Sequence, residues 1–391
     1  MGRGKLAVIG VGEVPTGWYP DRGDWEMINT TCMEAIRDAG LDKNDIEGVI
    51  TVNPMAQPKL QSEIGFGKIP EELGLKGCKD ICIVNAGGAT TTNCLRMAEH
   101  WVNNGIAKTV LINHVTRHSG ITLADAINFF ATAGIDLQWE YPFGMSYNGV
   151  MALQATRYMH DTGTTPEELA AVCVANRKWA MLDPNARFRK PLTIEQVLES
   201  RMVSTPLHAF ECNVLSDGAA AMVVTSGDLA PQISKTPVYK LGEDVLYLGA
   251  TATQRKERRR MGEGPGAAHK ALAEAGLTLE DMDILEIYFA YPHAFLMLLE
   301  ALGVCKPGEA GGLVMEGHTS PGGKLPCSTI GELSRGHTGS GVSTAYYVEC
   351  ARQLMGKAGE RQVPNARYLL TNAAGGSGMN MIWSVWGRDI P

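Results

Sequence analysis

Apolar positions along this chain follow two rhythms. Alternating or continuous β-branched runs at residues 5–11 (KLAVIGV), 48–52 (GVITV), 81–84 (ICIV), 108–113 (KTVLIN) and 217–224 (DGAAAMVV) predict strands. Gly10-Val-Gly12 reads as the end of the first. Between the strands the spacing becomes helical. Residues 26–39 predict an amphipathic helix stopped by Gly40. After a turn through Gly87-Gly88, Cys94, Met97, Ala98 and Trp101 recur at i, i+3, i+4 and i+7. Thr165-Pro-Glu-Glu168 and Thr193-Ile-Glu-Gln196 are capping boxes that open two helices inside a looser excursion over about 116–207. Strands alternating with helices predict a mostly parallel sheet covered on both faces.

The pattern then repeats. Ala35-Ile-Arg-Asp-Ala-Gly-Leu41, followed by Asp45, is echoed by Ala271-Leu-Ala-Glu-Ala-Gly-Leu277, followed by Asp281. Ala107-Lys-Thr-Val-Leu-Ile-Asn113 is echoed by Ala366-Arg-Tyr-Leu-Leu-Thr-Asn372. Two echoes in the same order predict an internal duplication. A length of 391 residues, too great for one ordinary core, agrees with that. The expected division is 1–228, carrying the excursion, and 229–391.

Composition narrows the classes. A net charge of −7 gives no reason to expect nucleic acid or an acidic membrane surface as partner. No apolar run approaches the ~18 residues of a membrane span, and no signal-peptide core precedes the first strand, so a cytoplasmic chain is expected. Cys78 and Cys82 lack a matching downstream pair, so no metal site is expected. The scattered cysteines read as buried free thiols, with Cys327, ten residues ahead of His337, the one tempting nucleophile.

The stretch 81–102 organises the rest. A strand, a glycine turn and a buried helix leave backbone N–H groups at a helix start, a place to steady an oxyanion. Val84-Asn85 before this turn, Ser216-Asp-Gly-Ala-Ala-Ala221, Gly322-Gly-Lys-Leu-Pro326, Gly331-Glu-Leu-Ser-Arg-Gly-His337 and Gly375-Gly376 resemble, in order, the motifs of the thiolase superfamily. The branch they resemble is that of lipid-transfer-protein and sterol-carrier-protein thiolases. The resemblance implies an α/β, five-layer αβαβα fold of two duplicated halves, a coenzyme A thioester as substrate and a homodimer. It also implies a small zinc-ribbon/OB-fold protein as a second subunit.

Four motif positions depart from the family. The nucleophilic cysteine falls on Gly88, and the second cysteine on Ala373 or Ala374. Tyr288-Phe-Ala-Tyr291 stands where the family has Asn-Glu-Ala-Phe or His-Asp-Cys-Phe, and Thr338 replaces the proline after His337. The resemblance therefore implies His337 and Tyr288 as donors to a thioester enolate, with Gly88 and Gly376 N–H groups as a second oxyanion site. For Tyr288 a role as an ordinary core tyrosine is equally open. His293, at a helix start, either reaches the pocket or packs in the core. The resemblance also makes Tyr141, Phe143 and Met145, in an aromatic loop reaching Tyr147, candidate acyl-pocket walls. Arg255 and Arg258, in the run RKERRR, are candidate phosphate contacts or part of a solvated face.

Two reactions fit a site without a cysteine. Coenzyme A could attack a bulky or aromatic β-ketoacyl-CoA directly, giving thiolytic acyl transfer without an acyl-enzyme. A β-hydroxyacyl-CoA could instead undergo retro-aldol cleavage. A non-catalytic acyl-CoA-binding scaffold is the rival from another class.

Overall fold

The computed structural model describes residues 5–52, 62–122, 124–125, 128, 134–249, 265–376, 378 and 380–390. In chain order the first half contains β1 (Leu6–Gly17), α1 (Asp24–Asp38), β2 (Gly48–Val52), α2 (Ser62–Leu73), β3 (Asp80–Val84), α3 (Thr90–Asn103) and β4 (Thr109–Thr116). The excursion follows with α4 (Tyr147–Thr162), α5 (Pro166–Met181), α6 (Ile194–Leu198) and a small ribbon, β5 (Met202–Ser204) with β6 (Leu207–His208). Then come β7 (Asp217–Ser226), α7 (Ala230–Ile233), β8 (Val238–Tyr247), α8 (Pro265–Ala275), β9 (Ile284–Glu286), α9 (Pro292–Leu302) and α10 (Ala310–Met315). The chain closes with α11 (Glu332–Arg335), α12 (Val342–Met355), β10 (Tyr368–Gly375) and β11 (Asn380–Gly387).

Among the described residues the main strands run in the order β3-β2-β4-β7-β1-β8-β11-β10-β9. Each half repeats one arrangement: β2-β4-β7-β1 in the first, β9-β10-β11-β8 in the second. The halves meet where β1 pairs β8 over Leu6, Ala7 and Val8. The duplication extends to the turns. α1 and α8 both end at left-handed glycines, Gly40 (φ 72°) and Gly276 (φ 71°), each followed by a capped helical turn at Asp42–Asp45 and Thr278–Asp281.

Side-chain alternation explains the layering. Leu6 and Val8 of β1, Val110 and Ile112 of β4, and Met222 and Val224 of β7 face inward. There they pack with Cys94, Leu95 and Trp101 of α3 and with Val348, Ala351 and Leu354 of α12. Their neighbours Ala7, Ile9, Leu111 and Val223 face outward beneath Met27, Ile28 and Ile36 of α1. With apolar residues on both faces, the strands are buried from both sides. Helices, sheet, the central pair α3 and α12, sheet and helices make the expected five layers. The central pair is joined by hydroxyl contacts, Thr91 to Thr344 and Thr92 to Tyr347, each 2.8 Å.

Two expectations are corrected. The sheet is mixed, because β7 runs antiparallel to β4 and β1, and β11 antiparallel to β10 and β8. Only four residues join β10 to β11, too few for a parallel crossover. Nor do Gly10 and Gly12 end β1. A Cβ at Gly10 would stand 2.4 Å from the Ala35 carbonyl oxygen, and one at Gly12 2.2 Å from that of Thr31. These glycines let α1 lie directly on the strand. Both capping boxes form as expected, on α5 and α6. No helix among the described residues is long and apolar enough to cross a membrane.

Candidate active site

The turn between β3 and α3 lines a cavity of about 450 Å³, together with Tyr147, Tyr288, His337 and Ser340 and with Ala374, Gly376 and Asn380 of the β10–β11 region. No cysteine among the described residues lines it. Cys94 is buried in the inner core. Burial pushes the Cys212 thiol up to about 12. The tempting Cys327 is buried too, its S–H donating to the Leu325 carbonyl at 3.2 Å, and burial holds its thiol well above the ordinary value. None of the three is a poised nucleophile.

Gly88 is a glycine because nothing larger fits. A Cβ there would stand 2.4 Å from the Ala374 carbonyl oxygen and 3.3 Å from Tyr288 Oη. Gly87, at φ 58°, would bring a Cβ to 3.0 Å from the Gly376 nitrogen. The turn is thus pressed backbone to backbone against the 374–376 segment.

Tyr288 and His337 face each other, with Oη 3.2 Å from Nε2. The Gly339 N–H donates to His337 Nδ1 at 3.2 Å. Burial, with His118 nearby, pulls the imidazole down to about 3, so the ring is neutral. A neutral ring that accepts at Nδ1 carries its proton at Nε2. The Nε2–H therefore donates to Tyr288 Oη, and the tyrosine O–H becomes the donor turned to the cavity. The two residues expected as donors are thus linked by one hydrogen bond. Burial raises the Tyr288 hydroxyl well above its ordinary value, so it stays protonated.

Both side chains are fixed through their backbones. Tyr288 N–H donates to Asn372 Oδ1 at 2.8 Å, and Asn372 Nδ2 donates to the Tyr288 carbonyl at 3.3 Å. The His337 N–H donates to Val214 O at 2.7 Å, and the Ser216 N–H to His337 O at 2.9 Å. Two residues earlier, the buried Arg335 guanidinium is gripped by Glu13 of β1 and by Asp183. An ion pair so deep gives little net stability, but losing one partner would strand a charge.

Other expected site residues lie elsewhere. His293, at the second position of α9, is absent from the cavity wall. It is fully buried against the Tyr291 ring at 6.1 Å, and burial drops its imidazole to about 3. Tyr141 and Phe143 point to solvent, 49% and 83% exposed, because the turn at Tyr141–Phe143 leaves them on its outer side. Met145 packs on Ile135 and Val150, off the cavity. Of that loop, Tyr147 reaches the wall, its hydroxyl donating to Gly376 O at 3.3 Å. Ser146 caps α4, whose first residue is Tyr147. Arg255 and Arg258 lie outside the described residues.

Sequence reasoning missed two features. His118 sits 3.9 Å from where a Gly339 Cβ would be, beside the His337 loop. A second cleft, of about 710 Å³, is lined by Arg177, Arg187, Arg189 and Lys190. The Arg187 and Arg177 guanidinium centres lie 5.0 and 6.0 Å from the Phe188 ring. The spacing Arg-Phe-Arg-Lys was the available signal.

Known proteins resemble the chain along most of its length. The family described as Thiolase C-terminal domain-like matches residues 250–388. Acetyl-CoA acetyltransferase of Methanothermobacter thermautotrophicus is 32% identical over 384 residues, covering 98% of this chain and 99% of that one. Benzoylsuccinyl-CoA thiolase subunit BbsB of Thauera aromatica is 27% identical, covering 95% of each chain. The solved Ltp2-ChsH2(DUF35) aldolase superposes with a TM-score of 0.82 at 27% identity, covering 98% of both chains. The chain belongs to the thiolase superfamily, in its lipid-transfer-protein and sterol-carrier-protein thiolase-like branch. Its relatives include proteins named as an acetyltransferase and a thiolase subunit and others named as an aldolase and a CoA lyase.

Proposed function

We propose that this chain cleaves a β-ketoacyl-CoA with a bulky or aromatic acyl group by thiolysis, without an acyl-enzyme. The observation that carries the reading is the Tyr288–His337 pair at 3.2 Å, in a cavity whose family nucleophile position is a Gly88 with no room for a side chain. Coenzyme A supplies its own nucleophile, since a free thiol of pKa ~8.5 is partly ionised near neutrality. The thiolate adds to the β-carbonyl carbon, and collapse of the adduct breaks the Cα–Cβ bond. That electron pair passes into the thioester enolate, whose oxygen accepts from Tyr288 O–H. The proton lost by the thiol finally returns to Cα.

Retro-aldol cleavage of a β-hydroxyacyl-CoA is the second reading, favoured by the likeness to a solved aldolase. It must deprotonate an alcohol, and a neutral His337 whose Nε2 already holds a proton is a poor base for that. Incubation with keto and hydroxy acyl-CoA substrates separates the two. Product from the keto substrate only when free coenzyme A is present supports thiolysis. Ketone or aldehyde released from the hydroxy substrate without it supports the lyase, and no turnover of either leaves an acyl-CoA-binding scaffold.

The cationic cleft is the proposed seat of the coenzyme's phosphates. Phe188 N–H and Arg187 N–H donate to the carbonyls of Ser334 and Arg335, just ahead of His337, which ties the cleft to the reacting end. Arg189→Gln with Lys190→Gln, both exposed, should raise KM for coenzyme A about tenfold or more with kcat little changed. Equal KM values in steady-state assays would rule the cleft out. A homodimer and a small zinc-ribbon/OB-fold second subunit complete the proposal. The two-component name of the Ltp2-ChsH2(DUF35) aldolase supports the latter.

A further inference from the structure

Glu332 is a buried carboxylate that the chemistry above does not use. It is 2% exposed and forms no ion pair with a lysine or arginine among the described residues. Its oxygens instead take two consecutive backbone donors: Phe289 N–H at 2.9 Å and Ala290 N–H at 2.6 Å. Ala290 sits at φ 59°, a conformation that costs a non-glycine residue energy and needs its surroundings to hold it. These donors directly follow Tyr288, and Glu332 stands five residues before His337. One carboxylate thus braces the peptide behind Tyr288 against the helical turn that leads to its partner.

Resting on the active-site reading above, we infer that Glu332 is a positioning residue whose ionisation sets the Tyr288–His337 hydrogen bond. Its surroundings allow the switch. Asn213 Nδ2 lies 3.5 Å away, and the ionisable groups facing it are Tyr288 and, from α12, Tyr346, which also faces Glu286. On α5, Arg177 turns instead to Ser334, and on α11 itself Arg335 is held by Glu13 and Asp183. Burial, with no compensating cation, pushes the carboxyl from 4.5 up to about 7. Below that point one oxygen becomes a hydroxyl and gives up one of the two N–H bonds, which frees the Ala290 peptide and re-aims Tyr288.

The test uses the full-length protein labelled with ¹³C-glutamate and ¹⁵N-histidine. A protonated-carboxyl infrared band should disappear with a midpoint near pH 7, and the His337 ring-nitrogen signals should shift with that same midpoint. In Glu332→Gln both changes vanish, and kcat loses its inflection near neutrality while KM stays within about twofold. His337 signals that stay still from about pH 6 to 8, or that move equally in the variant, overturn the inference. If the variant does not fold, the two wild-type midpoints decide it: one shared value supports it and two separate values sink it. Absence of turnover with shared midpoints would refute the proposed reaction and leave the strut in place.

Discussion

Replacing Tyr288 by phenylalanine is expected to lower kcat by roughly two to three orders of magnitude, the usual cost of removing one oxyanion donor. The change deletes a single oxygen. The ring keeps its edge-on contact with Tyr346 at 5.6 Å, and its backbone keeps both bonds to Asn372. Stability should therefore fall by about 1–3 kcal/mol, the cost of leaving one buried donor without its acceptor. The chemical loss is larger because it counts twice. The enolate oxygen loses its donor, and the Nε2–H of His337 is left aimed at a ring carbon rather than at Oη. KM should change little, since the interaction strengthens only as charge develops on the thioester oxygen. Steady-state kinetics beside a thermal melt separate the two effects. Turnover within tenfold of wild type would mean that another group receives the enolate.

How much of this could be read in advance follows from the range of each interaction. Local chemistry was legible. Thr165 with Glu168 and Thr193 with Gln196 form their capping boxes because the donors and acceptors are three residues apart. The duplicated turns at Gly40 and Gly276 were visible for the same reason. What failed depended on partners far along the chain. Gly10 and Gly12 look like a strand end until α1 is laid across them, and only then does the missing side chain become a packing requirement. The direction of β7 is set by how the excursion returns, which no residue in β7 encodes.

The site divides in the same way. Motif order alone brought together Gly88, Tyr288, His337 and Gly376, which come from four separated segments and do line one cavity. Family position put Tyr141 and Phe143 in the wall, yet an aromatic ring in a loop is equally compatible with solvent. The difference between Phe143 and Tyr147 is about one helical turn and a Ser146 cap, a distinction of orientation rather than of residue type. The support for the pair was hidden altogether. Asn372 reaches Tyr288 across 84 positions, and Glu332 reaches Ala290 across 42.

Gly88→Cys, which would reinstate the family's nucleophile, is expected to destroy activity rather than restore it. The new Cβ would meet the Ala374 carbonyl oxygen at 2.4 Å, and that oxygen belongs to the backbone of β10, paired there with β11, so it cannot swing aside like the end of a flexible side chain. Either the turn or β10 must retreat, a strain of about 1–3 kcal/mol by analogy with overpacked cores. The retreat opens the contact between Gly87 and the Gly376 nitrogen, and it pushes on Tyr288, whose Oη is 3.3 Å from the same point. A displacement near 1 Å at a reacting group can cost about 10²-fold in rate. Gly88→Ala should match the cysteine variant in both melting temperature and residual turnover, because the steric cause is the Cβ and not the sulfur. Mass spectrometry after incubation with acyl-CoA provides the decisive reading. An acyl group carried on the introduced thiol, in a variant with undiminished turnover, would show that the cavity still accommodates the family's acyl-enzyme chemistry. The glycine would then not be what commits this site to attack by a free thiol.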